Sequence, residues 1–201
     1  MFPLGTVLFP HALLPLRVFE PRYRAMTARV MKDDGEFGVV LIERGSEVGG
    51  GDTRFDVGTV ARVVRAQELP DGGYALATVG LRRIRVTRWL PDDPYPLAEV
   101  TDVVEPVQPD AAAVDTECRR ARLALDDVVA LYRQRNPNVP DLPAVSDAPE
   151  QASYEMAALA PIGPLDAQRV LEAVRVHDRL ALLADLLDDH ARVVRADNSL
   201  E

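Results

Sequence analysis

The residues able to do chemistry are few. There are three histidines (His11, His177, His190), one cysteine (Cys118), one lysine (Lys32) and four serines (Ser46, Ser146, Ser153, Ser199). No two histidines stand four apart and no HExxH occurs, so metal-ligand spacing is lacking. A single cysteine excludes an internal disulfide and any Cys-based cluster, and Cys118 falls on an apolar helical stripe, where it reads as a core thiol. No serine lies in GxSxG. A Ser–Lys dyad would have to use Lys32, but Asp33 and Asp34 adjoin it. Activating an amine requires desolvation to lower its pKa, and neighbouring acids push the other way. No GxxxxGK[ST] is present. Gly49-Gly50-Gly51 carries no lysine and is flanked by Glu43, Glu47, Asp52 and Asp56, so it reads as an inter-strand loop. The acid pairs Asp33-Asp34, Asp92-Asp93, Asp126-Asp127 and Asp188-Asp189 are adjacent, which on a helix points them about 100° apart, as solvated faces. The expectation is a protein with no catalytic residue, no metal and no cofactor.

Binding chemistry has one local candidate. Arg82-Arg83-Ile84-Arg85-Val86-Thr87-Arg88 is a basic run in an acidic chain, with Trp89 and Tyr74 as stacking groups. Alternation would send Arg83 and Arg85 to one face and Ile84 and Val86 to the other. Such a strand could bind single-stranded RNA. We read it instead as paired with acids on neighbouring strands, such as Glu68 and Glu99.

The elements that must hold these residues fall into two halves. Residues 1–105 carry net −2 and residues 106–201 net −7 of the total −9. The acidic balance argues against general affinity for phosphate backbones or anionic membranes, and leaves the nearly neutral first half as the expected contact surface. The first half reads as short β runs at Thr6–Phe9, Leu13–Phe19, Phe37–Ile42, Thr59–Leu69, Tyr74–Val79, Leu81–Leu90 and Leu97–Val104. Pro70-Asp71-Gly72-Gly73 is a hairpin signal, and Gly80 marks a bend between two strands. Pro3, Pro10 and Pro15 exclude regular central-strand pairing where they sit. One helix interrupts the strands, from Pro21 to about Lys32, with the stripe Tyr23–Met26–Val30.

The second half reads as helical. Val114, Cys118, Ala121, Leu125, Val128 and Tyr132 form one stripe along a helix of about 25 residues, capped by Asp110 and ended by Asn136-Pro137. Pro137–Pro149 is an extended proline-rich linker. A short helix follows at Gln151–Leu159, then a helical region from Leu165 to about Val194 that breaks near Val174–His177. The apolar start, Met1–Phe9, is interrupted by prolines and has no preceding basic region, so it does not read as a signal peptide. No stretch reaches the roughly 18 apolar residues of a membrane span. The expected compartment is the cytoplasm.

An ordered series of words then carries a resemblance. Phe2-Pro3-Leu4, Val7-Leu8-Phe9-Pro10, Leu14-Pro15-Leu16 and Phe19-Glu20-Pro21-Arg22-Tyr23-Arg24 open it. Phe37–Ile42, Gly45–Gly49, Val57–Ala61, Asp71-Gly72, Val79–Ile84 and Tyr95–Val100 continue it. Ser153–Ala158, Gln168–Ala173 and Arg179-Leu180 close it. The series resembles the Lon protease N-terminal (substrate-binding) domain family, in the form found on stand-alone bacterial proteins. The resemblance implies an α+β fold: a PUA-like pseudo-β-barrel with one inserted helix (1–105), then a helical bundle (106–201) with a linker at 137–149. It also implies the recognition part of a proteolytic system without its ATPase and peptidase.

The expected function is therefore binding of unfolded or partly folded polypeptide, as substrate recognition or adaptor. An ATP-dependent protease or another protein acting in trans is the implied partner. The surface would lie along a barrel edge or in the groove between barrel and helices. Candidate contact residues are Phe19, Arg22, Tyr23, Trp89 and Tyr132, with the loop Glu43–Thr53 as a mobile rim. The alternative is an RNA-binding PUA-like module using the Arg82–Trp89 strand.

Overall fold

The structure is a computed structural model and describes residues 1–45, 51–108 and 110–198. They form two compact units, Met1–Val104 and Glu105–Glu201.

The first unit is a mixed six-stranded sheet with one helix. Its strands are β1 (Phe2–Leu4), β2 (Leu13–Val18), β3 (Glu36–Arg44), β4 (Thr53–Glu68), β5 (Tyr74–Leu90) and β6 (Leu97–Asp102), with α1 (Pro21–Val30) between β2 and β3. The pairing runs β1-β3-β4-β5-β2, and β6 also pairs with β5. Only β1 and β3 run parallel, in the register Phe2↔Val39 and Leu4↔Leu41. The 17-residue β5 accepts β2 along its first half and β6 along its second. The hairpin forms as its sequence demands: Gly72 takes φ 74° and the Asp71 carboxylate accepts the Gly73 amide at 2.9 Å. That bond, followed by one from Arg17, holds the Asp71 carboxyl below its ordinary range.

Two sequence expectations are corrected here. Thr6–Phe9 is not a strand; Leu8 and Phe9 are buried as coil, and the Leu8 carbonyl accepts the Thr59 hydroxyl at 2.6 Å. Nor does Gly80 separate two strands, since β5 runs through it. The residues around Pro10 cross over β5 there, with His11 N donating to Gly80 O at 2.8 Å and Gly80 N to Ala12 O at 2.9 Å. A Cβ on Gly80 would lie 2.2 Å from the Phe9 carbonyl oxygen. The glycine serves this close approach, and a register shift between Thr59 and Ala61 accompanies it.

The second unit contains α2 (Ala111–Arg135), α3 (Pro149–Leu159), α4 (Pro164–Glu172) and α5 (Val176–Asn198). Asp110 caps α2 by accepting the Ala113 amide at 3.0 Å. The apolar stripe on α2 is buried from Val114 to Val128, Cys118 included, and α2 packs on α5, in which Leu180, Leu183 and Leu187 are buried. Arg120 pairs with Asp185 and Asp188 across these helices, and those hydrogen bonds, Asp185's foremost, raise its already high pKa.

At the centre of this unit Arg179 is 0% exposed. Its Nε donates to Ser153 Oγ at 2.7 Å and its Nη1 to the Ala173 carbonyl at 3.0 Å. Nη2 pairs with Glu105 at 3.0 Å, and the guanidinium stacks 4.0 Å from the Tyr154 ring centre. Tyr154 in turn donates its hydroxyl to Glu105. The words Ser153-Tyr154 and Arg179-Leu180 thus build one buried polar joint.

Arg179→Ala removes the partner of a mostly buried carboxylate. The expected loss is about 3–5 kcal/mol, read as a lower urea midpoint, with the conservative Arg179→Lys failing to restore it because an ammonium lacks the planar fork.

Candidate functional site

The two end strands of the sheet each contain a proline. Pro3 in β1 and Pro15 in β2 have no N–H, so each can lie in a ladder only with its nitrogen turned to the unpaired edge. Each proline removes one donor from the outer edge of its strand, and the sheet path ends at both strands. Between them lies a cavity of about 170 Å³ lined by residues of both strands and of the turn into α1, among them Phe2, Leu4, Leu16, Phe19, Glu20 and Tyr23. A cavity of about 150 Å³ with apolar walls is known to admit a benzene molecule, so this one has room for one aromatic or branched aliphatic side chain.

The wall is aromatic. Phe2 and Tyr23 stack with ring centres 4.3 Å apart and planes at 22°, and Phe37 tilts against Phe2 at 6.0 Å. Tyr23 is placed by α1, whose first turn Pro21 starts without needing an N–H. Arg22 lies 4.5 Å from the Tyr23 ring centre and pairs with Glu20 at 3.0 Å. At the mouth Phe19 is 56% exposed, an aromatic ring left in water beside the cavity.

Beyond Arg22 a second charged group continues the site. Arg54 holds Asp52 through both carboxylate oxygens, at 2.5 and 3.2 Å, and sits 4.7 Å over the ring of Trp89. The Asp52 side chain is 3% exposed. Burial pulls its carboxyl upward, but hydrogen bonds from Arg54 and its own amide, with the charges of Arg54 and Arg22, leave it below its ordinary range. Arg54 is held protonated by the same carboxylate against the effect of burial. Tyr23 responds to burial first and to Arg22, Glu20, Asp52 and Arg54 after it; its hydroxyl is pushed up to about 12.

Of the residues named from sequence, the structure brings Phe19 and Tyr23 to one cavity, sets Arg22 beside it against Tyr23 and Glu20, and places Trp89 under Arg54. Tyr132 belongs to the second unit, where its hydroxyl is hydrogen-bonded to His190 Nε2 at 2.6 Å between α2 and α5. Residues 46–50 of the loop Glu43–Thr53 lie outside the described residues. Phe2, Leu4, Asp52 and Arg54 were missed as site residues. The signal for the first two was the alternation around Pro3, which puts both on one face. Asp52 and Arg54 share a face for the same reason.

The Arg82–Arg88 run is corrected in one respect. Arg83 is buried, so it does not share an exposed face with Arg85. Arg88 pairs with Glu99 as expected, whereas Arg82 pairs with Glu36 and Asp102 and not with Glu68. Among the described residues no helix is long and apolar enough to cross a membrane. No group of three or more His, Cys, Asp or Glu could hold a metal among them.

A mixed sheet with one inserted helix, followed by a helical unit, is an architecture this chain shares with solved structures. The crystal structure of a Lon N-terminal domain protein from Xanthomonas campestris matches with a TM-score of 0.61 at 25% identity, over 90% of this chain and 94% of that one. The N-terminal domain of the Mycobacterium avium complex Lon protease matches in fold, with a TM-score of 0.63 at 19% identity, over 94% and 97%. The family model of the ATP-dependent protease La (LON) substrate-binding domain matches residues 1–189, and the chain belongs to that family. Among curated relatives, Lon protease 2 of Herpetosiphon aurantiacus is 29% identical over 98% of this chain. Lon protease of Escherichia coli K12 is 26% identical over 96%. The chain spans about a quarter of the length of these relatives.

Tyr23 supplies a spectroscopic test of the site. In a titration followed at the phenolate absorbance, one tyrosine should ionise near pH 12, and that step should vanish in Tyr23→Phe. Because the folded-state pKa is raised above the ordinary 10, the associated stability is full below pH 10 and is lost as pH rises from 10 to 12.

Proposed function

We propose that this protein binds polypeptide without catalysing its cleavage, and that the cavity between β1 and β2 receives one large apolar side chain of the bound segment. The observation that carries this reading is the pairing of a cavity walled in part by stacked aromatic rings with an exposed phenylalanine at its mouth, in a chain of the Lon substrate-binding family. Unfolded chains differ from folded ones in offering such side chains to solvent, so the site discriminates by fold and not by sequence. The charged groups nearby are paired with one another: Glu20 with Arg22, Asp52 with Arg54, Arg17 with Asp71. A neutral apolar segment therefore meets no uncompensated charge. The role is substrate recognition or adaptor to a protease in trans, in the cytoplasm.

Nucleotide-free protein should bind a reduced, alkylated and hence permanently unfolded reporter, with an affinity nearly independent of salt. Phe19→Asp should weaken it by about tenfold, as for an aromatic anchor at an interface centre. At a 56%-exposed position the change should leave stability within about 0.5 kcal/mol. Absence of reporter binding, or equal binding by the Phe19→Asp variant, sinks the reading.

A further inference from the structure

Residues 136–148, between α2 and α3, contain prolines at 137, 140 and 143, a spacing of three. Each proline fixes its own φ near −65° and drives the residue before it into extended backbone. Residues 139–146 accordingly carry neither helix nor strand. Burial along them repeats every third residue: Val139, Leu142 and Val145 are half-buried, while Pro140, Asp141, Pro143 and Ala144 are exposed. Three residues per turn is the period of a polyproline II helix. One edge of the segment is laid on the helical unit, where Leu142, Pro143 and Val145 line a cavity with Leu125 and Met156. Pro140, Asp141 and Ala144 face water, and Pro143 is exposed while its ring also borders that cavity.

The segment is pinned along its length. Arg133 donates to the Pro140 carbonyl at 3.0 Å and to Asp141 at 2.8 Å. Arg122 donates to the Ser146 carbonyl, and the Ser146 amide donates to Glu155 at 2.7 Å. A mere connector needs neither a three-residue proline period nor four anchoring bonds. Pinned in this way, the ridge has already lost the conformational freedom that a binding partner would otherwise have to remove.

We propose that this strap is a docking surface for a protein with an aromatic-lined groove that reads a polyproline II ridge. Charge fixes the character of that groove. Asp141 stands beside Pro140 with its side chain 98% exposed, and the exposed Asp147 and Glu150 follow. A basic rim complements them, and an acidic one is repelled. Pro140 and Pro143 fill the groove while Asp141 meets the rim. The surface lies wholly on the second unit and does not depend on the polypeptide cavity of the first.

The probe is a panel of isolated, isotope-labelled SH3 and WW domains with basic groove rims, titrated with the full 201-residue chain. Resonance shifts confined to the aromatic groove and saturating below about millimolar are expected. Pro140→Ala with Pro143→Ala should lower the affinity about tenfold with helical circular dichroism unchanged. Asp141→Lys, which reverses the ridge charge and also removes the pair with Arg133, should lower it about threefold and remove its salt dependence, with helical circular dichroism unchanged. The proposal is overturned if no domain of the panel shows groove shifts, if the proline variant folds and binds equally, or if Asp141→Lys binds as tightly as the parent.

Discussion

A proline in an end strand cannot donate to a neighbour, and the architecture of the first unit follows from that. Pro3 and Pro15 sit on the two strands where the sheet path stops. Each removes a donor from its edge, and the space between the two strands is walled by what β1, β2 and the start of α1 turn toward it. The walls include Phe2, Leu4, Leu16 and Tyr23, with Arg17 and Glu20 also among the lining residues. The same missing donor makes these edges poor templates for strand addition. Recognition falls to side chains.

Much of this was legible in the sequence where the physics is local. The long helix α2, its Asp110 cap and its end at Asn136 follow from a stripe, a capping preference and a proline. The Asp71-Gly72 turn follows from the positive φ it requires. What could not be read was non-local. A three-residue strand such as β1 is recognisable only through its parallel partner Val39–Leu41, 37 residues away in register. Thr6–Phe9 is as apolar as a strand but is used as buried coil, because Thr59 and Gly80 supply its contacts. The Asp52–Arg54 pair gains its position from Trp89 and Arg22, which lie far away in the chain.

The family-like words divide by role in the same way. Those at the N-terminus, Phe2 to Arg24, place the cavity and its mouth. Those in the helical half, Ser153-Tyr154 and Arg179-Leu180, meet inside the unit and touch no cavity described above. One such word is thus explained by an exposed aromatic ring, and the other by a guanidinium whose donors are consumed internally.

Arg179 also bears on where the chain can be divided. Its carboxylate partner Glu105 stands ahead of the first residue of α2, at the very beginning of the second unit. Composition changes one residue later, at Pro106. A helical half severed at that change would retain the buried cation and discard its counter-ion. The residue that looks like the tail of the β half is electrostatically the first residue of the helical one.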